Sequence, residues 1–299
     1  MKRSGWTLVE TLVSLGIFSL LLGIFLPAVQ NVRESAARAK CLDRMRQIGV
    51  ALHGYEGLHG RLPPRVALRP GFPAPEAALS WMALILPQIG EPALYGESVR
   101  ACTLDPDPMH NPPHVGFATT VNGYVCPDDP ITAPQTDRWG RTVSFTSYLG
   151  VSGAALPGRR RTSAGVFGSF PGCKVTDITD GTSSTLMVGE RPPPASLQAG
   201  WWYPIMGLQG VGLIGPNNYV TFGEYISAQG DPECKANLHF FGPGQADNPC
   251  DRYHFWSYHP GGGNWLFADA SVRFLQYSAD PLMPALATRA GGEPVTVPD

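Results

Sequence analysis

A short basic stretch, Met1-Lys2-Arg3-Ser4-Gly5, runs straight into 24 residues, Trp6 to Val29, in which Glu10 is the only charge. As a helix rising about 1.5 Å per residue this segment spans about 36 Å, enough to cross a hydrocarbon core of about 30 Å. An ordinary secretory signal is cut at small residues beyond its apolar core. Here the glycine precedes the core, so a cut at Gly5 leaves the apolar segment on the product. Lys2 and Arg3 favour a cytoplasmic start. Arg33, Arg38, Lys40, Arg44 and Arg46 make the far flank basic too, so charge alone does not orient the segment.

Glu10 is the anomalous residue, because a carboxylate inside a membrane helix costs a few kcal/mol and is usually paired. Leader, glycine and glutamate together resemble the class III signal of type IV prepilins. That resemblance implies a leader of residues 1–5, cleavage between Gly5 and Trp6 by a prepilin peptidase, and methylation of the new amino terminus. It also implies a single-pass protein of the bacterial inner membrane, amino terminus in the cytoplasm and body in the periplasm or on the surface. Its partners would be the peptidase, like or related pilin-type subunits, and membrane lipid. Glu10 would neutralise the amino terminus of a neighbouring subunit during assembly. The alternative is that Glu10 snorkels to the headgroups. Trp6 stands where the family usually has phenylalanine.

The helix is expected to outlast the membrane segment 6–29. Pro27 predicts a kink. Beyond it Cys41, Met45, Ile48, Leu52 and Tyr55 recur at spacings of 4, 3, 4 and 3 with charges between them, an amphipathic continuation over 30–58. Gly57, Gly60 and Pro63-Pro64 end it. Residues 59–299 then form the body.

A net charge of −2 gives no electrostatic case for nucleic acid, and Arg159-Arg160-Arg161 reads as a solvated loop. Gly 35 and Pro 30 with ten per cent aromatics describe a loop-rich, strand-containing body. Six cysteines outside the cytoplasm predict disulfides. Cys234 and Cys250 flank one polar loop and are the first expected pair; Cys102 and Cys126 flank another and come second. Cys41 and Cys173 would pair or stay as buried thiols.

Strand-like runs fall at 144–151, 165–170, 185–190, 219–226, 264–268 and 271–276. All follow the helix, which predicts an α+β fold with one long helix packed on a mainly antiparallel sheet. The last two runs predict a hairpin with a two-residue turn at Asp269-Ala270. Several stretches are similar to a large bacterial family of prepilin-like proteins whose carboxy-terminal signature is His-x(9)-Asp-Gly. They are 39–53, Ser80-Trp-Met-Ala-Leu-Ile-Leu-Pro87, Cys126-Pro-Asp-Asp129, Ser147-Tyr-Leu-Gly150, 175–191, and the pair His259 and Asp269. Ala270 replaces the glycine of the signature, and an alanine at positive φ costs about 1 kcal/mol.

Catalytic motifs are missing: no Gly-x-Ser-x-Gly (Ser152 in Gly150-Val-Ser-Gly153 is misplaced by one), no His-Glu-x-x-His, no P-loop, no Cys-x-x-Cys. No catalytic residue, metal or cofactor is therefore expected. His259 and Asp269 could meet across the hairpin base, in a structural hydrogen bond holding the glycine-rich loop rather than as an acid–base pair. Asp177, Asp180, Thr182 and Ser183 supply oxygens but match no calcium-loop spacing, so a turn with local side-chain bonds is expected. A pair of His254 with His259 on a transition metal has still less to support it. The leading function is a pilin-like or pseudopilin-like structural subunit. The alternative is a tethered glycan-binding body using Trp201-Trp202-Tyr203 and Phe255-Trp256, unless these are core residues. An anchored hydrolase lacks a constellation.

Overall fold

In the computed structural model the described residues are 7–64, 79–105, 107–137, 139–154, 163–168, 172–197, 200–203, 211–214, 241–293, 295 and 297. Gly5 and Trp6, the run 159–161, the run 219–226 and Cys234 lie outside them. The chain divides into two compact units, Met1–Ala39 and Lys40–Asp299.

The first helix, α1, spans Leu8–His59, 52 residues, and runs unbroken through Pro27. Its first turn is closed by a capping box: Thr7 N and Thr7 Oγ1 donate to Glu10 Oε2 at 2.8 and 2.9 Å, and Glu10 N donates to Thr7 Oγ1 at 3.3 Å. The most apolar stretch of α1 has a mean hydropathy of 2.4 and buries none of its residues. Within Lys40–Asp299 the same helix buries Cys41, Met45, Ile48, Gly49, Ala51, Leu52 and Tyr55, which is the stripe read from its spacing. It stops where Gly60 turns to φ +68° and its N–H closes on Glu56 O at 2.7 Å, the left-handed ending glycine permits.

Two short helices follow, α2 (Trp81–Leu84) and α3 (Pro92–Leu104). Ser80 caps α2 by accepting from Ala83 N at 3.1 Å. A small antiparallel pair comes next, β1 (Gln135–Thr136) with β2 (Thr142–Val143). The main sheet is built from β3 (Tyr148–Ala154), β4 (Ser163–Ala164), β5 (Leu186–Glu190), β6 (Val211–Ile214), β7 (Gly262–Phe267) and β8 (Val272–Gln276). Its order is β4-β3-β5-β7-β8, antiparallel throughout, with β6 paired in parallel to β3. A last helix, α4 (Met283–Leu286), closes the body.

Side chains alternate across this sheet into two cores. Tyr148, Val188 and Leu266 join the core that takes the α1 stripe, while Leu149, Leu186, Trp265 and Phe267 pack with Phe241, Phe255, Met283 and Leu286. The architecture is α+β: a long apolar amino-terminal helix followed by a mainly antiparallel sheet, as in pilin-like folds.

Two strand expectations and one turn change. The run 144–151 becomes strand only from Tyr148. Before it, Ser144, Thr146 and Ser147 donate their amides to Phe117, Gly200 and Tyr124 in the loops. Within 165–170, Val166–Gly168 form a 3-10 turn. Val166 and Phe167 are consecutive and enter the same core, as the tight winding of such a turn allows. The β7–β8 hairpin forms, but its loop has three residues, Ala268-Asp269-Ala270. Ala270 N donates to Phe267 O at 3.0 Å and Phe267 N to Ser271 O at 2.9 Å. Only Ala270, φ +65°, takes the left-handed position, where such three-residue loops want glycine.

Candidate functional site

Among the described residues a dense polar cluster lies where α1 meets the sheet. Cys41, on the buried stripe of α1, is joined to Cys126 by a disulfide across 85 residues, with Cα atoms 4.9 Å apart. Closing a loop of that size removes unfolded-state entropy equivalent to about 4–5 kcal/mol in the chain-entropy picture. This overturns the expected Cys102–Cys126 bond and a Cys41–Cys173 bond. Pairing followed which elements stack, and a cysteine on the packed stripe of α1 meets the loop beneath it. Cys102 and Cys173 keep free thiols. Burial pushes both above the ordinary thiol range, Cys102 to about 11, so neither is a ready nucleophile. The expected Cys234–Cys250 pair involves Cys234, outside the described residues.

Beside the disulfide stands His259, 2% exposed. Its Nε2 lies 3.8 Å from Cys126 Sγ and 3.4 Å from Glu190 Oε1, and its Nδ1 lies 3.0 Å from Asp128 Oδ2. Glu190 ends β5 and is equally buried. Asn264 of β7 fixes both its oxygens, donating from Nδ2 to Oε1 at 2.9 Å and from the backbone to Oε2 at 2.8 Å. The loop that delivers His259 is tied by Ser257, whose Oγ accepts from His259 N at 3.0 Å and donates to Gly262 O at 2.6 Å.

The neighbouring Asp129 belongs to the same network. Its Oδ2 accepts from Ser147 Oγ at 2.8 Å, its Oδ1 from Ile131 N at 3.1 Å, and Ser147 Oγ in turn accepts from Cys126 N at 2.8 Å. Burial drives the Asp129 carboxyl up to about 6; the Ile131 and Ser147 bonds oppose the rise and the nearby Glu190 carboxylate adds to it. The helix side is secured by Tyr148, whose hydroxyl donates to Cys41 O at 3.1 Å, and by Arg44, which donates to Val125 O. Arrays of this kind hold elements in register. They also gather imidazole, carboxylate and sulfur in one dry place.

The expected meeting of His259 with Asp269 does not occur. The two residues stand at opposite ends of β7, whose six residues span about 20 Å at about 3.3 Å each. Asp269 instead serves the hairpin loop, its Oδ1 accepting from Ser271 N at 2.9 Å and Ser271 Oγ at 2.6 Å. His254 is directed to Asp251 at 3.1 Å and to Phe255 O at 3.1 Å. Asp180 is turned to the chain's end: it accepts from Gly291 N at 2.6 Å, Gly292 N at 2.9 Å and Thr288 Oγ1 at 3.3 Å. Asp177 caps its own turn, accepting from Lys174 N at 2.9 Å. Those two carboxylates are therefore committed to backbone. Trp201, Trp202, Tyr203, Phe255 and Trp256 are all buried, so they offer no face for a sugar. Ser152 is a buried residue of β3. Glu10 lies exposed in the first turn of α1.

Sequence reasoning picked out His259 but missed Glu190, Asp128, Asp129 and the Cys41–Cys126 bond. One signal was present: Cys41 begins the apolar stripe that must face the body.

The chain matches the family described as "Protein of unknown function (DUF1559)" over residues 30–282 and belongs to it. No curated protein and no solved structure matches it.

Proposed function

We propose that this protein is a pilin-like or pseudopilin-like structural subunit of the bacterial inner membrane, with no enzymatic activity of its own. The observation that carries the reading is α1 itself. One unbroken helix is fully exposed and apolar over its first part, then buries a single face in the body from Cys41 to Tyr55. Such a helix is suited to two solvents in succession, lipid for the anchor and protein core for the remainder. The membership of the DUF1559 family and a disulfide, which suits an oxidising compartment, support the same reading.

In this reading a prepilin peptidase cuts between Gly5 and Trp6 and the amino terminus of Trp6 is methylated. The amino terminus faces the cytoplasm, and the body lies in the periplasm or at the surface. Like or related subunits pack through their helices. Glu10 exchanges its intramolecular partner Thr7 for the amino terminus of a neighbour.

The test has two readings on the native protein. Mass spectrometry of the isolated chain is expected to find a methylated Trp6 at the amino terminus. Glu10→Ala is expected to leave membrane insertion intact while removing the subunit from sheared surface filaments. An uncut chain, or undiminished recovery of the variant in the sheared fraction, counts against the assignment.

A further inference from the structure

We infer that Cys41, Cys126, His259 and Glu190 form a zinc site when the Cys41–Cys126 bond is open, so that the same residues fasten α1 to the body either covalently or through a metal. All four side chains are buried, and one ligand atom from each lies within 4.8 Å of every other. Around a tetrahedral zinc, with Zn–S of about 2.3 Å and Zn–N and Zn–O of about 2.0–2.1 Å, neighbouring S···N and N···O edges are about 3.6 and 3.3 Å. The corresponding distances are 3.8 Å from Cys126 Sγ to His259 Nε2 and 3.4 Å from His259 Nε2 to Glu190 Oε1. Two edges of such a tetrahedron are thus already near their required length, and every other pair of ligand atoms lies within 4.8 Å. Opening the disulfide lets the two freed sulfurs settle about 3.8 Å apart, the edge set by two Zn–S bonds.

The surroundings are those of a metal-binding histidine. Asp128 Oδ2 lies 3.0 Å from His259 Nδ1, on the side of the ring away from the sulfur, where carboxylates stand beside metal-bound imidazoles. Asn264 fixes the Glu190 carboxylate through both oxygens and leaves Oε1 a second lone pair. Two thiolates with an imidazole are soft and borderline donors, which select zinc over magnesium or calcium. Asp128, with its side chain 26% exposed, gives the cluster one edge open to solvent.

The two states interconvert by thiol–disulfide exchange. An external dithiol gives two electrons to the Cys41–Cys126 bond and leaves as its own disulfide, and its two protons end on the new Cys41 and Cys126 thiols. Zinc then binds and both thiol protons pass to solvent. Oxidation by an external disulfide takes the two electrons back, closes the bond and expels zinc, and the external sulfurs leave as thiols with two protons from solvent. The staple between α1 and the body survives either redox condition.

The test uses the full chain in detergent carrying Cys102→Ser, Cys173→Ser, Cys234→Ser and Cys250→Ser, so that only Cys41 and Cys126 remain. Reduced with a phosphine, desalted without oxygen and titrated against a chromophoric chelator, it is expected to bind one zinc per chain. Cobalt in place of zinc is expected to give a thiolate charge-transfer band in the near ultraviolet. The oxidised protein is expected to bind no zinc, and His259→Asn, which removes a ligand, to weaken zinc binding in the reduced state by at least the roughly 10- to 100-fold that loss of an outer-shell partner costs. Zinc-free reduced protein, or a His259→Asn chain that binds as tightly as its parent, overturns the site. Should the four-serine chain fail to fold, alkylation of the reduced wild-type chain followed by peptide mass spectrometry decides the matter. Slower modification of Cys41 and Cys126 with zinc than with chelator supports the site, and equal rates overturn it.

Discussion

Gly49 on α1 faces Leu266 of β7 so closely that a methyl group at position 49 would lie 2.8 Å from Leu266 Cδ1 and 3.4 Å from the Ala270 Cβ. The helix therefore rests directly on the β7–β8 hairpin, with His53 Nε2 3.0 Å from Ala268 O one turn further along. Glycine inside a helix costs about 1 kcal/mol relative to alanine, a cost accepted here for the close approach. Gly49→Leu forces extra methylenes into a filled core and is expected to destabilise the protein by about 1–3 kcal/mol. Urea unfolding of the variant and its parent in the same detergent measures the loss. An unchanged midpoint would mean that helix and hairpin are further apart than described.

The hairpin loop carries a correctable strain. Ala270 occupies φ +65°, a conformation that costs a residue with a Cβ about 1–2 kcal/mol, partly offset by the greater unfolded-state freedom of glycine. Ala270→Gly is therefore expected to stabilise the fold by about 0.5–1 kcal/mol, seen as a rise in Tm of a few degrees. A fall in Tm would show that the alanine methyl contributes more packing against α1 than the turn loses in strain.

Asp129 makes stability depend on pH with an unusual sign. Its carboxyl titrates at about 6 in the folded chain, against about 3.9 unfolded. The folded state holds the proton more tightly, so its contribution to stability is present in full below about pH 4, falls as pH rises, and is spent above about pH 6. Asp129→Asn removes this dependence. Relative to wild type the variant is expected to gain on the order of 2–3 kcal/mol between pH 4 and pH 7. Denaturation midpoints of both proteins at pH 4.5, 5.5 and 7 give the difference directly, and a constant difference across that range would contradict the buried carboxyl.

What was legible in the sequence followed from local periodicity. The stripe from Cys41 to Tyr55, the stop at Gly60, strand β5 and the β7–β8 hairpin rest on spacing or turn chemistry within a few residues. The site did not yield to this kind of reading, because its members meet through the sheet order. Glu190 reaches Asn264 only because β5 and β7 are neighbours, although more than seventy residues separate them in the chain. The disulfide failed for the same reason. Polar loops between cysteines suggested local closures, whereas Cys126 lay under a helix 85 residues upstream. The spacing of His259 and Asp269 was real, but a strand between them carries its two ends apart.

The position of Cys41 bears on how the protein withstands traction. A pull on the anchor travels down α1 and reaches Cys41 before Met45, Ile48, Leu52 or Tyr55, the apolar contacts that seat the helix. At Cys41 part of the load crosses a covalent bond to Cys126. Traction on the amino-terminal end of the chain thus tensions the body as a whole, and the helix is not peeled from its bed one turn at a time.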